Sequence, residues 1–394
     1  MLIGLVGKPS VGKSTFFKAA TLAEVEIANY PFTTIKANHG VGYVRVECLE
    51  KEFGVKCNPQ KGFCIDGQRF VPVEIMDVAG LVPGASEGKG LGNQFLDDLT
   101  KADCFIHVVD ISGTTDIEGK PTEGHDPAQD IKFLNEELNL WYYNIFMKVW
   151  KSFVRKTELE NRKFSEAIAK QFSGLKVTEE NVKVVLRKLN LSEKPTLWKD
   201  EDVKKFCSTL RNISKPMIIA ANKIDHPNAK ENYQKIRGEF PNLIIIPCSA
   251  DSELALRQAA KAELIKYIPG DRTFKILKDL NEKQKEALDK VNKNVLTQFV
   301  EGTGVQSVLN SAVFSLLNYI AIFPASATKH ADSKGNVLPD CFLLPNGSTA
   351  LDFAYFLHTD FGKNFIKAID ARTKKAVGKD YKLKHRDGLE IVTR

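Results

Sequence analysis

Eight residues near the start of the chain, Gly7, Lys8, Pro9, Ser10, Val11, Gly12, Lys13 and Ser14, fit the pattern G-x-x-x-x-G-K-S. Glycines at both ends let the backbone wrap closely around an anion, so that consecutive N–H groups and a helix N-terminus point at it. In this arrangement Lys13 can reach the β and γ oxygens of a nucleotide as a point charge. The Ser14 hydroxyl can bind Mg²⁺, and Thr15 follows on the same first turn. Taken alone, the pattern implies phosphate binding and says little about the base.

Two further constellations narrow the ligand. Asp77-Val78-Ala79-Gly80 lies about sixty residues on, where Asp77 can hold Mg²⁺ through water and the Gly80 N–H can reach a γ-phosphate. Behind it a glycine-rich run to Gly92 reads as a loop that orders on the γ-phosphate and relaxes on its loss. Asn222-Lys223-Ile224-Asp225 follows an apolar run, where an α/β sheet presents its ligand edge. The Asp225 carboxylate can accept two hydrogen bonds, from guanine N1–H and the 2-amino group. Adenine offers neither donor and sets a ring lone pair against the carboxylate, a difference that can reject the analogue by ~10⁴. Lys223 can lay its stem over the base, and Asn222 can tie the base loop to the phosphate loop. Ser249-Ala250 can complete the pocket with a backbone N–H to the guanine oxygen. GTP and GDP, with Mg²⁺, are therefore the expected substrate, product and cofactor.

The elements that must position these residues can be read from hydrophobic period. Leu2–Val6, Val41–Val46, Val71–Met76, Cys104–Val109, Pro216–Ala221 and Leu243–Ile246 are short apolar runs suited to buried strands. They alternate with helical patterns, which predicts an α/β fold with a mostly parallel sheet. Between the two blocks the texture is charged and helical. Ile131, Leu134, Leu138, Tyr142, Ile145, Val149 and Phe153 fall three or four apart, and the pattern predicts one projecting helix, coiled-coil-like, continuous to about Phe172 and roughly 65 Å long. The segments Glu179–Leu189 and Glu201–Leu210 should fold back on it, with Trp141, Tyr142, Tyr143, Phe146 and Trp150 as inter-helix core. Asn281–Val300 and Val305–Leu317 read as connecting helices. Short strands at Cys341–Leu344, Tyr381–Lys384 and Leu389–Val392 around a helix Thr349–Ile369 predict a small terminal α+β unit. The expected organisation is a nucleotide domain over 1–128 and 213–275, a helical insertion over 129–212, a helical connector over 276–318 and a terminal domain over 319–394.

Composition bounds the setting. Lys plus Arg number 56 against 49 Asp plus Glu, and this excess suits transient contact with RNA without requiring it. Seven scattered cysteines do not form a disulfide framework, and the chain enters its first motif with no basic leader. Polar residues interrupt the most apolar stretch, Val305–Phe323, too often for a lipid span. A cytoplasmic monomer with no membrane or DNA partner is expected. Cys48, Cys57 and Cys64 lie close in sequence without a C-x-x-C pair, so free thiols are expected, with metal binding as the alternative.

GKPSVGKST, NYPFTT at Asn29–Thr34, DVAGLVPGASEGKGLGNQF and NKID together resemble the Obg-related GTPases. The helical insertion and small terminal region are most similar to the YchF/Obg-like ATPase branch, in an archaeal-type version. The resemblance covers almost the full chain, and the run Asp77–Phe95 is its most specific part. It implies a GTPase-type domain, a helical insertion, a C-terminal β-grasp TGS domain, and partners in translation: the ribosome, rRNA or tRNA. It also implies that Thr34, rather than Thr33, closes on Mg²⁺ and the γ-phosphate. Bacterial and eukaryotic members of the branch prefer ATP and lack the Lys and Asp that stand here at 223 and 225. Many GTPases place a water-orienting Gln directly after DxxG, whereas this chain has Leu81, whose apolar side chain cannot orient the attacking water. Slow intrinsic GTP hydrolysis is therefore expected. Bacterial relatives use a histidine in a later loop; His125 occupies a comparable place and is a catalytic candidate, against its reading as a solvated loop residue. His107 reads as a satisfied sheet histidine.

Overall fold

The computed structural model describes residues 1–22, 38–78, 80, 99–332 and 334–394. Thr33 and Thr34, and the loop Leu81–Gly92, lie outside the described residues.

Strands β1 (Leu2–Val6), β2 (His39–Glu47), β3 (Phe63–Ile65), β4 (Gln68–Asp77), β5 (Cys104–Asp110), β6 (Met217–Asn222) and β7 (Ile245–Pro247) form one sheet. Its order is β2-β4-β1-β5-β6-β7, with β3 paired to β4. From β4 to β7 every neighbour is parallel, whereas β2 and β3 run antiparallel to β4. The central strands β1, β5 and β6 are buried at every residue, which explains their mostly apolar runs rather than alternation. Such strands need cover on both faces. Helix α1 (Lys13–Thr21) packs on one side through Phe16, Ala19 and Ala20.

The helical region begins with α3 (Pro127–Met147), counted after the short α2 (Glu50–Phe53). The predicted single projecting helix is not formed. Its stripe is divided between α3 and α4 (Trp150–Leu159), and the stretch to Phe172 forms a separate α5 (Phe164–Gln171). Val149 leaves helical geometry and Asn161 takes a left-handed φ of 51°, so the chain turns twice. The gain from turning is aromatic packing. Phe146 stacks on Phe172 at 3.7 Å between centroids, and Trp150 contacts Phe164, Trp198 and Phe206. Helices α6 (Glu179–Leu189) and α7 (Asp200–Ser214) complete a compact bundle, not a coiled coil. Tyr142, Phe146 and Phe206 share one continuous core with Val6, Phe105 and Ile219 of the sheet.

Two helices follow the last sheet motifs, α8 (Ala229–Glu239) and α9 (Ala250–Lys261). A two-stranded ribbon of β8 (Ile265–Tyr267) and β9 (Phe274–Ile276) leads to the connecting helices at 282–296 and 305–316. The terminal sheet is built from β10 (Tyr319–Pro324), β11 (Phe342–Pro345), β12 (Phe365–Asp370), β13 (Ala376–Val377) and β14 (Asp387–Thr393), in the order β11-β10-β14-β12-β13. Here the predicted helix Thr349–Ile369 is corrected. It runs only over Ala350–Leu357, stops at extended His358, resumes for Thr359–Lys363, and gives way to β12 (Phe365–Asp370). The β12–β14 ladder overrides a helical period that continues through the sequence. Among the described residues no helix is long and apolar enough to cross a membrane.

Candidate functional site

The carboxyl ends of β1, β4, β5 and β6 bring the motifs together. Helix α1 starts at Gly12, which has φ 89° and no side-chain cap, and no acidic residue lies in its first turn. Its first-turn N–H groups and positive end thus suit an anion. Ser10 also adopts a left-handed φ, 63°. The Lys13 ammonium pairs with Asp77, and the Ser14 hydroxyl donates to the other Asp77 oxygen at 3.1 Å. Hydroxyl and carboxylate are hard oxygen donors of the kind Mg²⁺ takes.

Asn222 links two loops. Its side-chain amide donates to the Val11 carbonyl oxygen (2.8 Å), while its Oδ1 accepts the Ala250 N–H (2.9 Å). A Cβ on Gly12 would fall 2.3 Å from the Asn222 amide nitrogen, so close approach requires glycine there. The Ser249 N–H donates to the Thr303 carbonyl, and the Ser249 hydroxyl caps α9 by accepting from the Ser252 N–H. Both N–H groups of the Ser-Ala pair are thus already engaged, and a guanine oxygen would share the Ala250 N–H with Asn222. Lys223, at φ 63°, extends its ammonium to Asp110 at the end of β5 (2.8 Å). Burial alone would raise the Asp110 carboxyl, but Lys223, Ser112 and Thr115 hold it below its ordinary value. Asp225 lines a cleft with His226 and Lys230, faced by Lys293, Gln298 and Phe299 of the connecting segment.

Three family models match. They are a 50S ribosome-binding GTPase over residues 2–143, the motif-containing domain of an Obg-like YGR210-like GTPase over 220–326, and a TGS domain over 329–393. A GTP-binding protein of Methanocaldococcus jannaschii is 50% identical over 100% of this chain and 99% of its own. The ribosome-binding ATPase YchF of Bacillus subtilis is 31% identical over 93% of this chain and 87% of its own. The chain belongs to the Obg-like, YchF-type GTPase family. A GTP-binding protein of Pyrococcus horikoshii superposes with a TM-score of 0.80 at 42% identity, over 100% of both chains. The YchF GTPase of Schizosaccharomyces pombe shares the fold, with a TM-score of 0.58 at 23% identity over 100% of this chain and 97% of its own.

Within this YchF-type frame, some predicted residues sit elsewhere than expected. Lys8 does not face the anion. Its ammonium is buried 2.8 Å from Asp130 and donates to the Thr115 carbonyl, which leaves only its backbone N–H for phosphate. Pro9 has no N–H and can offer contact alone. His125 is not a solvated loop residue: its Nε2 lies 2.8 Å from Asp130, with the side chain 9% exposed. Burial holds the Asp130 carboxyl above its ordinary value despite these two partners. This geometry ties the His125 ring to the root of α3. His107 is buried with its Nδ1 unpartnered among the described residues, which differs from the satisfied histidine expected. Burial, with Lys8 nearby, holds its pKa down to about 3 and its ring neutral.

Pro9 is held between two glycines that lie far apart in the sequence. A Cβ on Gly80 would meet Pro9 at 3.2 Å, and one on Gly119 would meet the Pro9 Cβ and carbonyl oxygen at 2.7 Å. Gly119 also has φ 84°. Gly119→Val should displace the phosphate loop and weaken nucleotide binding about tenfold or more, because its side chain would overlap the Pro9 backbone and ring. Gly124→Val, at φ 71° in open space, carries the backbone strain without the contact and should leave affinity within about twofold. Equilibrium titration of both variants checks the difference.

Proposed function

We propose that the chain binds Mg-GTP at this site, hydrolyses it slowly, and uses the change as a switch in translation at the ribosome. The observation that carries the reading is Asn222. One side chain joins the phosphate loop at Val11 to the Ser-Ala turn at Ala250, three residues before Asp225 in its cleft. Phosphate and base would therefore be gripped by one rigid unit.

In this reading Lys13 leaves Asp77 to meet the β and γ oxygens, and Ser14 and Asp77 hold Mg²⁺, with Thr34 as a further ligand. Bound Mg²⁺ supplies charge neutralisation across the phosphates. Gly80 senses the γ-phosphate beside Pro9, and its loss is passed on through the segments Asn29–Thr34 and Leu81–Gly92. Leu81 cannot orient water and the His125 ring is engaged by Asp130, so efficient turnover requires a group from a partner. Relatives named ribosome-binding ATPases and the basic balance of 56 over 49 support a ribosomal partner.

Competitive titration of the full chain with GTP and ATP, followed by phosphate release with and without ribosomes, tests the reading. GTP should bind at least ~100-fold tighter, and ribosomes should accelerate release. ATP binding as tightly as GTP would overturn the guanine reading in favour of an ATPase. Absence of release under both conditions would replace the switch with an adaptor whose nucleotide is structural.

A further inference from the structure

We propose that Cys48, Glu50, Cys57 and Cys64 bind one structural zinc ion at the end of the sheet remote from the nucleotide site. Cys48 follows β2, Glu50 opens α2, Cys57 lies in the loop after it, and Cys64 sits in β3. The spacing contains no C-x-x-C pair, yet the fold brings one ligand atom from each residue within 4.8 Å of every other. A tetrahedral zinc with Zn–S bonds of about 2.3 Å places its sulfurs about 3.8 Å apart, so closure needs movements of about 1 Å. Three thiolates favour zinc over the hard cations, and four protein ligands leave no open position, which is the structural pattern.

A second observation points to the same ligand. Arg69, opposite Cys64 in the β3–β4 ladder, is completely buried, and its Nε and Nη1 have no hydrogen-bond partner among the described residues. Its Nη2 lies 3.8 Å from Cys48 Sγ. A buried guanidinium with unused donors calls for negative charge beside it. Three thiolates and a carboxylate around Zn²⁺ carry a net charge of about −2, and Arg69 offsets part of it. The ligands are also oriented: the Cys57 N–H donates to Glu50 Oε2 at 3.0 Å, as expected of a supporting shell. A surface cleft opens on Glu50, Cys57 and Cys64 and provides an entry path.

The ion would stiffen the surface on which the terminal domain is seated. The N–H groups of Asn58 and Gln60 donate to the carbonyls of Val337 and Pro339, and Arg69 donates to that of Leu338. The ten-residue β4 separates this end from Asp77 by about 30 Å, so the metal takes no part in nucleotide chemistry.

The full chain, produced reduced in zinc-supplemented medium and desalted, should carry about one zinc by elemental analysis. Exchange for cobalt should give thiolate charge-transfer absorption and strong tetrahedral d–d bands. Cys64→Ser should reduce zinc to below about a tenth per chain, whereas Cys207→Ser, in the helical bundle, should leave it unchanged. If Cys64→Ser fails to fold, Glu50→Gln keeps every thiol; it should shift the cobalt bands and weaken zinc retention at least about tenfold. Metal removal should lower the melting temperature and leave GTP affinity within about twofold. Zinc below about a tenth in the unmodified chain, equal zinc in all variants, or a disulfide among the three thiols under these conditions would overturn the proposal. Loss of GTP binding at unchanged melting temperature would overturn the structural role.

Discussion

Lys13→Ala should abolish tight nucleotide binding while leaving the chain folded. The Lys13 side chain is not part of the apolar core, and its partner is the Asp77 carboxylate at the mouth of the site. Removing the ammonium therefore costs the fold little. For the ligand the effect is double. The phosphates are deprived of charge-assisted hydrogen bonds worth about 1.5–3 kcal/mol each. Asp77 is also left without its neutralising neighbour, next to where the phosphates must sit. Without two such hydrogen bonds, affinity should fall by ~10² to 10⁴. Calorimetric titration with GTP, alongside a thermal melt, measures both quantities. Retained micromolar affinity in a folded variant would refute the assignment of the phosphate site.

Asp225→Asn should exchange the base preference rather than destroy binding. A carboxylate at this position accepts from N1–H and the 2-amino group of guanine. An amide keeps one acceptor but turns its NH₂ toward the 2-amino group, donor against donor. Leaving such buried donors unmatched is worth several kcal/mol, so GTP affinity should drop by ~10² to 10³. Xanthine carries an oxygen in place of that amino group, and the same amide complements it. XTP should therefore gain over GTP in the variant. Competition of both against a fluorescent nucleotide checks the exchange; equal weakening of both would show that Asp225 does not read the base. Asp225 is only partly buried and Ile224 anchors its loop, so the fold should tolerate the change.

The parts of the site that were legible in the sequence are those where chemistry and backbone signal coincide within a few residues. Gly7–Ser14, Asp77–Gly80, Asn222–Asp225 and Ser249-Ala250 each follow a buried strand, and a parallel sheet must deliver such strand ends to one edge. What was not legible depends on partners far apart in the chain. Lys223 meets Asp110 across 113 residues, and Lys8 meets Thr115 across 107. Nothing in the local pattern around Lys8 indicates that its side chain turns inward. Likewise the cysteine spacing says little until β3 folds against β4. The long helix failed for a related reason. Hydrophobic period reports that a face is buried but not what buries it, and here Phe172 returned to cover Phe146.

The core shared by α3, α7 and the sheet bears on how the helical insertion relates to the rest of the molecule. Leu134, Leu138 and Leu210 belong to the same buried cluster as Phe105, Val109 and Met217. Excising residues 129–212 would strip one wall from the nucleotide-binding half and return its apolar strand face to water. The insertion is thus an insertion in sequence only. Thermodynamically it is a load shared with the sheet, and selection on either half acts on both.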